Sequence, residues 1–327
     1  MAVKIGINGF GRIGRYLTRL LAGNEELELV AVNARATNED LVHLLKYDSV
    51  HGIFSGAEAN EEGFTLNGKQ VKVTRNAPGE WTWGELGCDM VIETTGKFTD
   101  RESCEKHLAC GAKKVVVSAP AKNPDVTVVV NVNNDDLKPE HKIISSASCT
   151  TNCLAPVAKV INDKYGIKHG IMTTVHSYTM SQRVLDGSHK DIRRARTAAV
   201  SMIPTTTGAA KATALVIPEL KGKLDGMAIR VPTPNVSLVD LVVELDKSVS
   251  KEEINATLKA AANDSMGYTE EPLVSVDYMG STHGGVVDGP LTNVMGDTQV
   301  KLIIWYDNEA GFTNQLLRLM GMAAATM

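Results

Sequence analysis

The feature that most constrains the fold of this 327-residue chain is a glycine-rich turn near its N-terminus. The apolar segment VKIGING leads into Gly9, Gly11 and Gly14, which form a G-x-G-x-x-G pattern. Ile13 opens a run of apolar residues at helical spacing that ends near Gly23, and a second apolar segment, LELVAVN, follows. This order of strand, turn, helix and strand predicts a βαβ unit, with a parallel sheet and a right-handed crossover.

A turn of this kind is typical of dinucleotide-binding sites. Glycines allow a tight turn and a close approach of the backbone, and the N-terminus of the following helix attracts a pyrophosphate. The alternative is a glycine turn that binds no ligand. We expect a bound dinucleotide here, with the site formed by Gly9, Gly11, Arg12, Ile13 and Gly14.

The residues after the second strand bear on which dinucleotide is bound. An acid that binds the adenosine ribose is expected about 20 residues beyond the glycines, but the sequence there reads Asn33, Ala34, Arg35. The carboxylate is missing, and an arginine in its neighbourhood is the usual sign of accommodation of a 2′-phosphate. The alternative is that Arg35 is a solvated surface residue.

The rest of the chain divides into two patterns. Strands are predicted at DMVIET, KKVVVSA, VTVVVNV and KIISS, with a helix near residues 102–110 and a hairpin at the Asn-Gly pair of FTLNGKQVKVTR. They predict a Rossmann-type, doubly wound parallel sheet of the α/β class. After residue 148 a long helix ending at Gly166 is followed mostly by strands, with a capping box at Ser250 and Glu253. This second part predicts an α+β domain with a largely antiparallel sheet.

Charge and composition exclude several classes of partner. The formal net charge of −4 argues against general binding to nucleic acid or to membrane surfaces. No window of about 18 apolar residues predicts a transmembrane helix, and no secretory leader is evident. Five cysteines without framework spacing indicate a reducing compartment, and we expect a cytoplasmic protein without a metal site. A protein of the plastid stroma would look the same after loss of its transit peptide.

A cysteine stands where a predicted strand becomes a predicted helix. In SSASCTTNC, Cys149 lies at the helix N-terminus, where the dipole and free N–H groups favour a thiolate. Ser148 and Thr150 flank it with hydroxyls suited to binding an anion. The alternative is that Cys149 is an inert buried thiol. Cys153, one helical turn later, is expected to be a packing residue.

Other residues suggest a base and a phosphate site. His176 ends the apolar segment IMTTV, and a histidine at a strand end can serve a cysteine as general base, although a structural role is the alternative. Arg194 belongs to the segment DIRRAR, whose arginines suit bidentate phosphate binding or, alternatively, an interface of salt bridges. Thr207 and Gly208 lie in a polar turn that is compatible with phosphate.

Seven motifs along essentially the whole chain resemble those of the glyceraldehyde-3-phosphate dehydrogenases: INGFGRIGR, LLKYDSVHG, SASCTTNCLAP, HKDIRRAR, PTTTGAAKA, RVPTPNVS and WYDNEAGF. The resemblance implies that Cys149 is the nucleophile and His176 the base. The phosphate-binding residues that it implies are Ser148, Thr150, Thr179, Arg194, Thr207, Gly208 and Arg230. The further cofactor contacts are Asn33, Ala34, Arg35, Ser188 and Asn308, with Asn308 holding the nicotinamide carboxamide.

The resemblance also implies an organisation and a reaction. Residues 1–148 with 312–327 would form the dinucleotide-binding domain and residues 149–311 the catalytic domain, which includes an S-loop at about 178–200 that packs against a neighbouring subunit of a homotetramer. The implied reaction converts glyceraldehyde 3-phosphate and inorganic phosphate to 1,3-bisphosphoglycerate, or the reverse. It proceeds through a Cys149 thiohemiacetal and thioester with hydride transfer to NAD or NADP. Such a reaction serves glycolysis, gluconeogenesis or carbon fixation.

The chain departs from the common family pattern at a few positions. Ala34 replaces the ribose acid, Met180 and Ser181 stand where Asn-Asp is usual, Ser188 stands where NAD-preferring members often have proline, and Phe312 replaces a tyrosine. NADP-using members resemble this chain at the ribose positions, so we expect NADP to be preferred over NAD. Neutral drift in an NAD enzyme is the alternative. Erythrose-4-phosphate dehydrogenase, and a redox-sensing or binding role of the same scaffold, are the alternative functions.

Overall fold

The computed structural model describes residues 2–327, which form two compact units. The first unit runs to Val128 and adds Asn134–Ala147 and Leu316–Met327, while the second comprises Val129–Asn133 and Ser148–Gln315. Within residues 2–327, every helix is too short or too polar to cross a lipid bilayer.

The first unit is built on one mixed, mainly parallel sheet. Its helices are α1 (Arg12–Leu21), α2 (Asn38–Lys46) and α3 (Arg101–Ala109). Its strands are β1 (Val3–Asn8), β2 (Leu27–Asn33), a separate ribbon of β3 (Tyr47–Asp48) and β4 (Gly52–Ile53), then β5 (Ala57–Asn60), β6 (Gly63–Leu66), β7 (Lys69–Thr74), β8 (Met90–Glu93), β9 (Lys114–Val117), β10 (Val126–Thr127) and β11 (Ile143–Ser145). The sheet order is β10-β11-β9-β8-β1-β2-β7-β6-β5, and every pair from β10 to β7 is parallel. The predicted doubly wound sheet is confirmed.

The glycine turn after β1 adopts a backbone that only glycine fits. Gly9 has φ +95°, and a Cβ there would lie 2.9 Å from the amide nitrogen of Thr95. A Cβ on Gly14 would lie 2.5 Å from the carbonyl oxygen of Gly9, so the first turn of α1 packs directly on the end of β1. Leu17 and Leu21 then bury the inner face of the helix. The predicted βαβ unit is confirmed.

One predicted hairpin is confirmed and one predicted strand is mostly wrong. Asn67 and Gly68 have φ values of 47° and 81° and join β6 to β7, as a hairpin turn with two left-handed residues requires. Of the segment VTVVVNV, only β10 pairs with a neighbour. The next residues form a turn, because Asn133 Oδ1 accepts a hydrogen bond of 2.9 Å from the Val129 amide. The valines are buried in that turn, and an apolar run alone does not distinguish the two structures.

The second unit contains a largely antiparallel sheet, as predicted. Its helices are α4 (Cys149–Tyr165), α5 (Ala209–Val216) and α6 (Lys251–Ala260), and α7 (Ala310–Ala325) continues into the first unit. Its strands are β12 (Ile167–Ser177), β13 (Ile203–Thr206), β14 (Leu224–Val231), β15 (Ser237–Leu245), β16 (Met266–Thr269), β17 (Gly285–Asp288), β18 (Asn293–Met295) and β19 (Gln299–Tyr306). The order is β13-β14-β12-β15-β19-β17-β16, with β18 beside β19. Short 3₁₀ turns lie at Pro218–Leu220, Ser275–Tyr278 and Gly289–Leu291 in this unit, and at Asn134–Asp136 in the first unit.

Local sequence signals account for several of these elements. β15 alternates strictly between buried and half-buried residues, which is the period-two pattern of a strand with one face on the core. The predicted capping box at α6 is confirmed: the Glu253 amide donates to Ser250 Oγ, and the Ser250 amide donates to the Glu253 carboxylate. The long predicted helix is α4, and it ends at Gly166 with φ +73°.

Candidate active site

The pairing of two parallel strands brings a histidine and an arginine together. β12 and β14 run side by side in the register that sets His176 opposite Arg230. Both residues lie near the carboxyl ends of their strands, where parallel strands commonly carry functional groups. His176 is 4% exposed, so its ring belongs to the interior of the second unit.

Cys149 is the first residue of α4, as predicted. Ser148 is the N-cap: its Oγ accepts a hydrogen bond of 3.1 Å from the Thr151 amide. This cap satisfies one of the free amides of the first turn and fixes the direction in which the chain enters the helix. The half-buried Cys149 side chain therefore projects from a rigid position.

The Cys149 Sγ lies 3.5 Å from His176 Nε2, within hydrogen-bonding distance for sulfur. The other ring nitrogen, Nδ1, lies 2.7 Å from the Ser177 carbonyl, which also accepts from Arg230 Nη1 at 3.0 Å. A carbonyl oxygen has two lone pairs, so it can accept from both donors. The 2.9 Å approach of Nη1 to Nδ1 is then a contact of two donors that share one acceptor. Nε2 is left unprotonated and faces the thiol, in the tautomer of a general base.

Burial and one cation set the charge state of this pair. Burial, together with the Arg230 guanidinium, lowers the pKa of His176 to about 3. Burial raises the pKa of the Cys149 thiol, and the Arg230 cation and the Thr150 hydroxyl oppose that effect without cancelling it. Desolvation thus opposes the expected preference for a thiolate, which stays a prediction. Both pKa shifts favour the neutral forms, a thiol beside an imidazole.

A buried tyrosine supports the pair, and the sequence analysis missed it. The Tyr306 hydroxyl lies 2.9 Å from Thr150 Oγ1 and 2.8 Å from Thr174 Oγ1. Its ring stands edge-on to His176, with 5.9 Å between the ring centroids. Tyr306 is the last residue of the apolar strand β19, and nothing in that pattern distinguishes it from a core residue.

Two arginines form a positive region beside the histidine. Arg230 Nε is buried and lacks a hydrogen-bond acceptor among residues 2–327. Arg194 Nε donates to Thr205 Oγ1 at 2.9 Å, and the Thr205 hydroxyl donates to Asp191 at 2.7 Å. The Arg194 charge also contributes to lowering the pKa of His176, after burial and Arg230. Because a buried donor without an acceptor is costly, Arg230 favours an anionic ligand, whereas Arg194 already lies 3.6 Å from the Asp191 carboxylate.

The other predicted phosphate residues lie in the same unit without direct contacts to the pair. Thr179 Oγ1 lies 2.9 Å from Ser181 Oγ, and Thr207 Oγ1 accepts from the Ala209 amide at the start of α5, where Gly208 is the N-cap. No hydrogen bond within the described residues joins Thr179, Thr207 or Gly208 to Cys149 or His176. Their phosphate-binding role remains a prediction.

Asn308 lies buried with its amide oriented by two hydroxyls. Ser177 Oγ donates to Asn308 Oδ1 at 2.7 Å and Ser237 Oγ donates at 2.9 Å. The amide nitrogen faces no hydrogen-bond acceptor among the residues that the structure describes, so Asn308 can donate to a ligand. Ser188 is exposed, and its carbonyl accepts two hydrogen bonds from Arg183.

The first unit holds a separate cavity of about 580 Å³ at the glycine turn. Among the predicted cofactor residues, Gly9, Gly11, Asn33, Ala34 and Arg35 line it, while Arg12, Ile13 and Gly14 do not. A Cβ on Gly11 would meet nothing within 4 Å, and α1 has no side-chain cap at this residue. The helix N-terminus is therefore open to a ligand.

Arg12 is held by an ion pair instead of pointing into the cavity. Its guanidinium binds both carboxylate oxygens of Asp48, with 2.9 Å from Nη2 to Oδ1. Burial alone would raise the pKa of Asp48, but the bonds from Arg12 and from backbone amides lower it well below its usual range. Asp48 lies in the motif LLKYDSVHG and was not anticipated as a partner of the turn.

A second arginine lies at the ribose end of the cavity and was also missed. Arg75 donates to the Ala36 carbonyl at 2.7 Å and to Asn38 Oδ1 at 2.8 Å, and it lines the cavity with Arg35. Ala34 is 8% exposed, and its amide donates to the Thr74 carbonyl. Arg75 directly follows β7, and it reaches the ribose end of the cavity because β7 pairs with β2, a pairing that the sequence does not show.

Among residues 2–327, no three His, Cys, Asp or Glu side chains meet as a metal site.

Comparisons with known proteins agree on one family. Residues 3–101 match the model of the family described as glyceraldehyde 3-phosphate dehydrogenase, NAD binding domain, and residues 148–308 match that of its C-terminal domain. The chain is 56% identical to the glyceraldehyde-3-phosphate dehydrogenase of Geobacillus stearothermophilus, over 99% of each chain. It is 55% identical to glyceraldehyde-3-phosphate dehydrogenase 1 of Bacillus subtilis, over 99% of each chain. It is 52% identical to the Streptomyces coelicolor protein of the same name, over 98% of each.

The charge balance at Cys149 leads to a pH prediction. Arg230 lowers the pKa of the Cys149 thiol, so Arg230→Gln should raise it further. A higher thiol pKa leaves less thiolate at a given pH, and the pH–rate profile for alkylation by iodoacetamide should therefore move to higher pH. Lys301→Gln, which removes an exposed cation paired with Asp240 in the same unit, is the control and should leave the profile in place. An identical profile in Arg230→Gln and wild type would show that Arg230 does not lower the pKa of the Cys149 thiol.

Proposed function

This chain belongs to the glyceraldehyde-3-phosphate dehydrogenase family, and we propose that it interconverts glyceraldehyde 3-phosphate and 1,3-bisphosphoglycerate with inorganic phosphate. The observation that carries the proposal is the 3.5 Å contact between Cys149 Sγ and His176 Nε2, beside Arg230 with its buried, unmatched donor. A nucleophile, a base and an anion site are the groups that this oxidoreductase reaction needs.

The chain's own residues account for the covalent steps. Cys149 Sγ adds to the aldehyde carbon, its proton passes to His176 Nε2, and the imidazolium passes that proton on to the carbonyl oxygen to give a thiohemiacetal. A bound nicotinamide cofactor supplies the acceptor for the hydride of that carbon. His176 takes the proton of the thiohemiacetal hydroxyl as the thioester forms. Inorganic phosphate then attacks the thioester carbon, the C–S bond breaks, and the acyl phosphate is released. The Cys149 sulfur leaves as a thiolate and takes up the proton that His176 holds.

The positive region supports binding of both phosphate groups. The substrate and inorganic phosphate are anions, and Arg194 and Arg230 are the cations next to the reacting pair. We assign Ser148, Thr150, Thr179, Thr207 and Gly208 as their hydroxyl and amide partners. Asn308, whose amide nitrogen has no acceptor in the described chain, is assigned to the nicotinamide carboxamide.

The cavity of the first unit has the properties of a dinucleotide site. It combines an open helix N-terminus at Gly11 with a left-handed glycine at Gly9 and a volume within the usual range for cofactors. When bound there, NAD or NADP supplies the hydride acceptor. Arg12 is assigned an indirect role, because its side chain is engaged by Asp48.

An oligomer is supported by the surface of the S-loop. Five apolar side chains of the S-loop and the nearby Met202 are at least 75% exposed; the five are Met180, Val184, Leu185, Ile192 and Val200. Such a concentration of exposed apolar residues is typical of a protein interface. We propose a homotetramer in which the S-loop packs against a neighbouring subunit. Sedimentation equilibrium of the wild-type chain tests this proposal.

The relatives named above come from bacteria, so we propose a cytoplasmic location and not a plastid one.

The proposed reaction depends on Cys149 and not on Cys153. Cys149→Ser should lower kcat for glyceraldehyde 3-phosphate by at least about a thousandfold, since an alcohol without a strong base is a poor nucleophile at neutral pH. Cys153, fully buried with its thiol near the Ile304 carbonyl, is the matched control, and Cys153→Ser should keep most activity. The assay follows formation of the reduced cofactor, and erythrose 4-phosphate is the comparison aldehyde. Equal losses at both cysteines, or a higher kcat/KM for erythrose 4-phosphate, would refute the proposal.

The phosphate assignment predicts a change in KM. A charge-assisted hydrogen bond is worth roughly 1.5–3 kcal/mol, so Arg194→Ala or Arg230→Ala should raise KM for glyceraldehyde 3-phosphate or for inorganic phosphate by at least about tenfold. Steady-state kinetics with each phosphate varied in turn separate the two sites. Full activity and unchanged KM values in both variants would show that the phosphates bind elsewhere.

The cavity lining supports a preference for NADP. Arg35, Arg75 and Lys97 line it, and among the described residues no carboxylate does. An aspartate in place of Ala34 would repel a 2′-phosphate, at a cost of about 3 kcal/mol per unit charge at about 5 Å and an effective dielectric near 20. Ser188, exposed on the S-loop, offers a hydroxyl donor where proline offers none.

We therefore expect kcat/KM for NADP to exceed that for NAD in the wild type. Ala34→Asp should lower the ratio of the two values by at least about tenfold, because it adds like-charge repulsion to one cofactor only. The NAD value of the same variant is the internal control and should not fall. A wild-type ratio well below one, or a ratio that Ala34→Asp leaves unchanged, would contradict the preference.

A further inference from the structure

We propose that Glu93 is a positioning residue for the dinucleotide cavity, and that its buried carboxylate fixes the two walls of that cavity through hydrogen bonds to Asn8 and Thr95. The proposal rests on the proposed function only in taking the cavity as the dinucleotide site. Glu93 ends β8, and the β1–β8 register sets it opposite Asn8. It does not line the cavity, whereas Asn8 and Thr95 do.

Four donors saturate the carboxylate. Glu93 is 1% exposed, and its Oε1 accepts from the Thr95 amide at 2.6 Å and from the Thr95 hydroxyl. Its Oε2 accepts from Asn8 Nδ2 at 2.6 Å and lies 3.2 Å from His107 Nε2. An ionised carboxylate only accepts hydrogen bonds and has about four lone-pair sites, which these four donors fill. The donors on Oε1 and those on Oε2 come from different segments of the chain. Oε1 holds the segment after β8, and Oε2 holds the end of β1.

A tryptophan sets the direction of the histidine's hydrogen bond. The Trp83 indole N–H is a donor only, and it lies 3.0 Å from His107 Nδ1. Nδ1 therefore accepts and carries no proton, so the proton is on Nε2 and points to Glu93. His107 is fully buried and stacks on Trp81, with 3.9 Å between the ring centroids. Trp81 itself lines the cavity.

The carboxylate also orients two asparagine amides in sequence. Because Asn8 gives its N–H to Glu93, its Oδ1 is free to accept, and Asn33 Nδ2 donates to it at 3.0 Å. Asn33 Oδ1 in turn accepts from the Thr74 hydroxyl and from the Asn76 amide, each at 2.9 Å. Reversal of the Asn8 amide would therefore set two N–H groups against each other.

The chain of hydrogen bonds thus runs from the core behind β8 to the ribose end of the cavity. Asn33 ends β2 and is followed directly by Ala34 and Arg35, the residues assigned to the adenosine ribose. A fixed Asn33 amide gives this end of the cavity one shape before a ligand arrives. Preorganisation of this kind raises affinity because less ordering is needed on binding.

Glu93→Gln tests the proposal in the full-length protein. A glutamine has one oxygen and one N–H₂ group, so whichever way it turns, the N–H₂ faces either the Thr95 donors or those of Asn8 and His107. We expect the Kd values of NAD and NADP, measured by isothermal titration calorimetry, to rise at least about tenfold. Val117→Ala, at the position paired with Glu93 on β9, is the matched control that destabilises the same core without altering the polar chain.

A histidine pair gives a second, independent test. His107→Leu removes both hydrogen bonds, whereas His107→Gln retains one acceptor for Trp83 and one donor for Glu93. His107→Leu should weaken binding of both nucleotides by at least about fivefold, and His107→Gln should restore it to within about twofold. The rate of Cys149 alkylation should be unchanged in all four variants, because the hydrogen-bond chain lies in the first unit. This pair decides the question if Glu93→Gln does not fold.

Several results would overturn the proposal. Wild-type Kd values in Glu93→Gln would do so, as would equal losses in Val117→Ala, which would show a stability effect only. Equal binding by His107→Leu and His107→Gln would also count against it. Nucleotide binding is measured without turnover, so a wild type that binds both nucleotides but does not oxidise glyceraldehyde 3-phosphate would refute the proposed function alone.

Discussion

The interaction on which the second unit's chemistry depends is the contact between the Cys149 thiol and the buried His176 imidazole, beside the Arg230 cation. Cys149 Sγ and His176 Nε2 lie 3.5 Å apart, and desolvation favours the uncharged form of both groups. A buried ion pair must recover a large desolvation cost, which an uncharged pair avoids. The arrangement is possible because the Ser177 carbonyl accepts hydrogen bonds from both His176 Nδ1 and Arg230 Nη1. The Cys149 thiol and the His176 imidazole then need to become charged only when the substrate is bound.

The first unit depends on a different constraint, the central position of β1 between β8 and β2. Glycines at the end of β1 let α1 pack against it and leave the helix N-terminus open. Ligands of doubly wound sheets bind outside the carboxyl ends of such strands, where the strand order reverses. Here the ends of β1, β2 and β8 carry Asn8, Asn33 and Glu93, and one set of hydrogen bonds joins all three. The sheet topology therefore determines the position of the cavity and of the hydrogen bonds that hold its walls.

Sequence reasoning succeeded where the signal is local. The glycine turn, the Asn-Gly hairpin, the alternation of β15 and the capping box of α6 are each written in fewer than ten consecutive residues. It failed where contacts join distant segments: Glu93 and Asn8 are 85 residues apart, and Thr150 and Tyr306 are 156 apart. The direction of the Cys149 pKa shift could not be predicted from the sequence for a related reason, because burial is a tertiary property. The strand expected in VTVVVNV failed since apolar runs report burial and not backbone shape.

If the proposed phosphate site is correct, the cations beside His176 would let the substrate take part in activating the base. Burial, Arg230 and Arg194 all lower the pKa of the imidazole, so in the resting protein it is a weak base. A phosphate dianion at these arginines would offset their charge, and the pKa of His176 would rise toward its ordinary value. The same anion would make the thiolate less favourable by itself, so proton transfer to the imidazole becomes coupled to attack on the aldehyde carbon. In such a site, phosphate binding and proton transfer to His176 would be electrostatically coupled. With an aldehyde that has no phosphate group, the pKa of His176 would stay low.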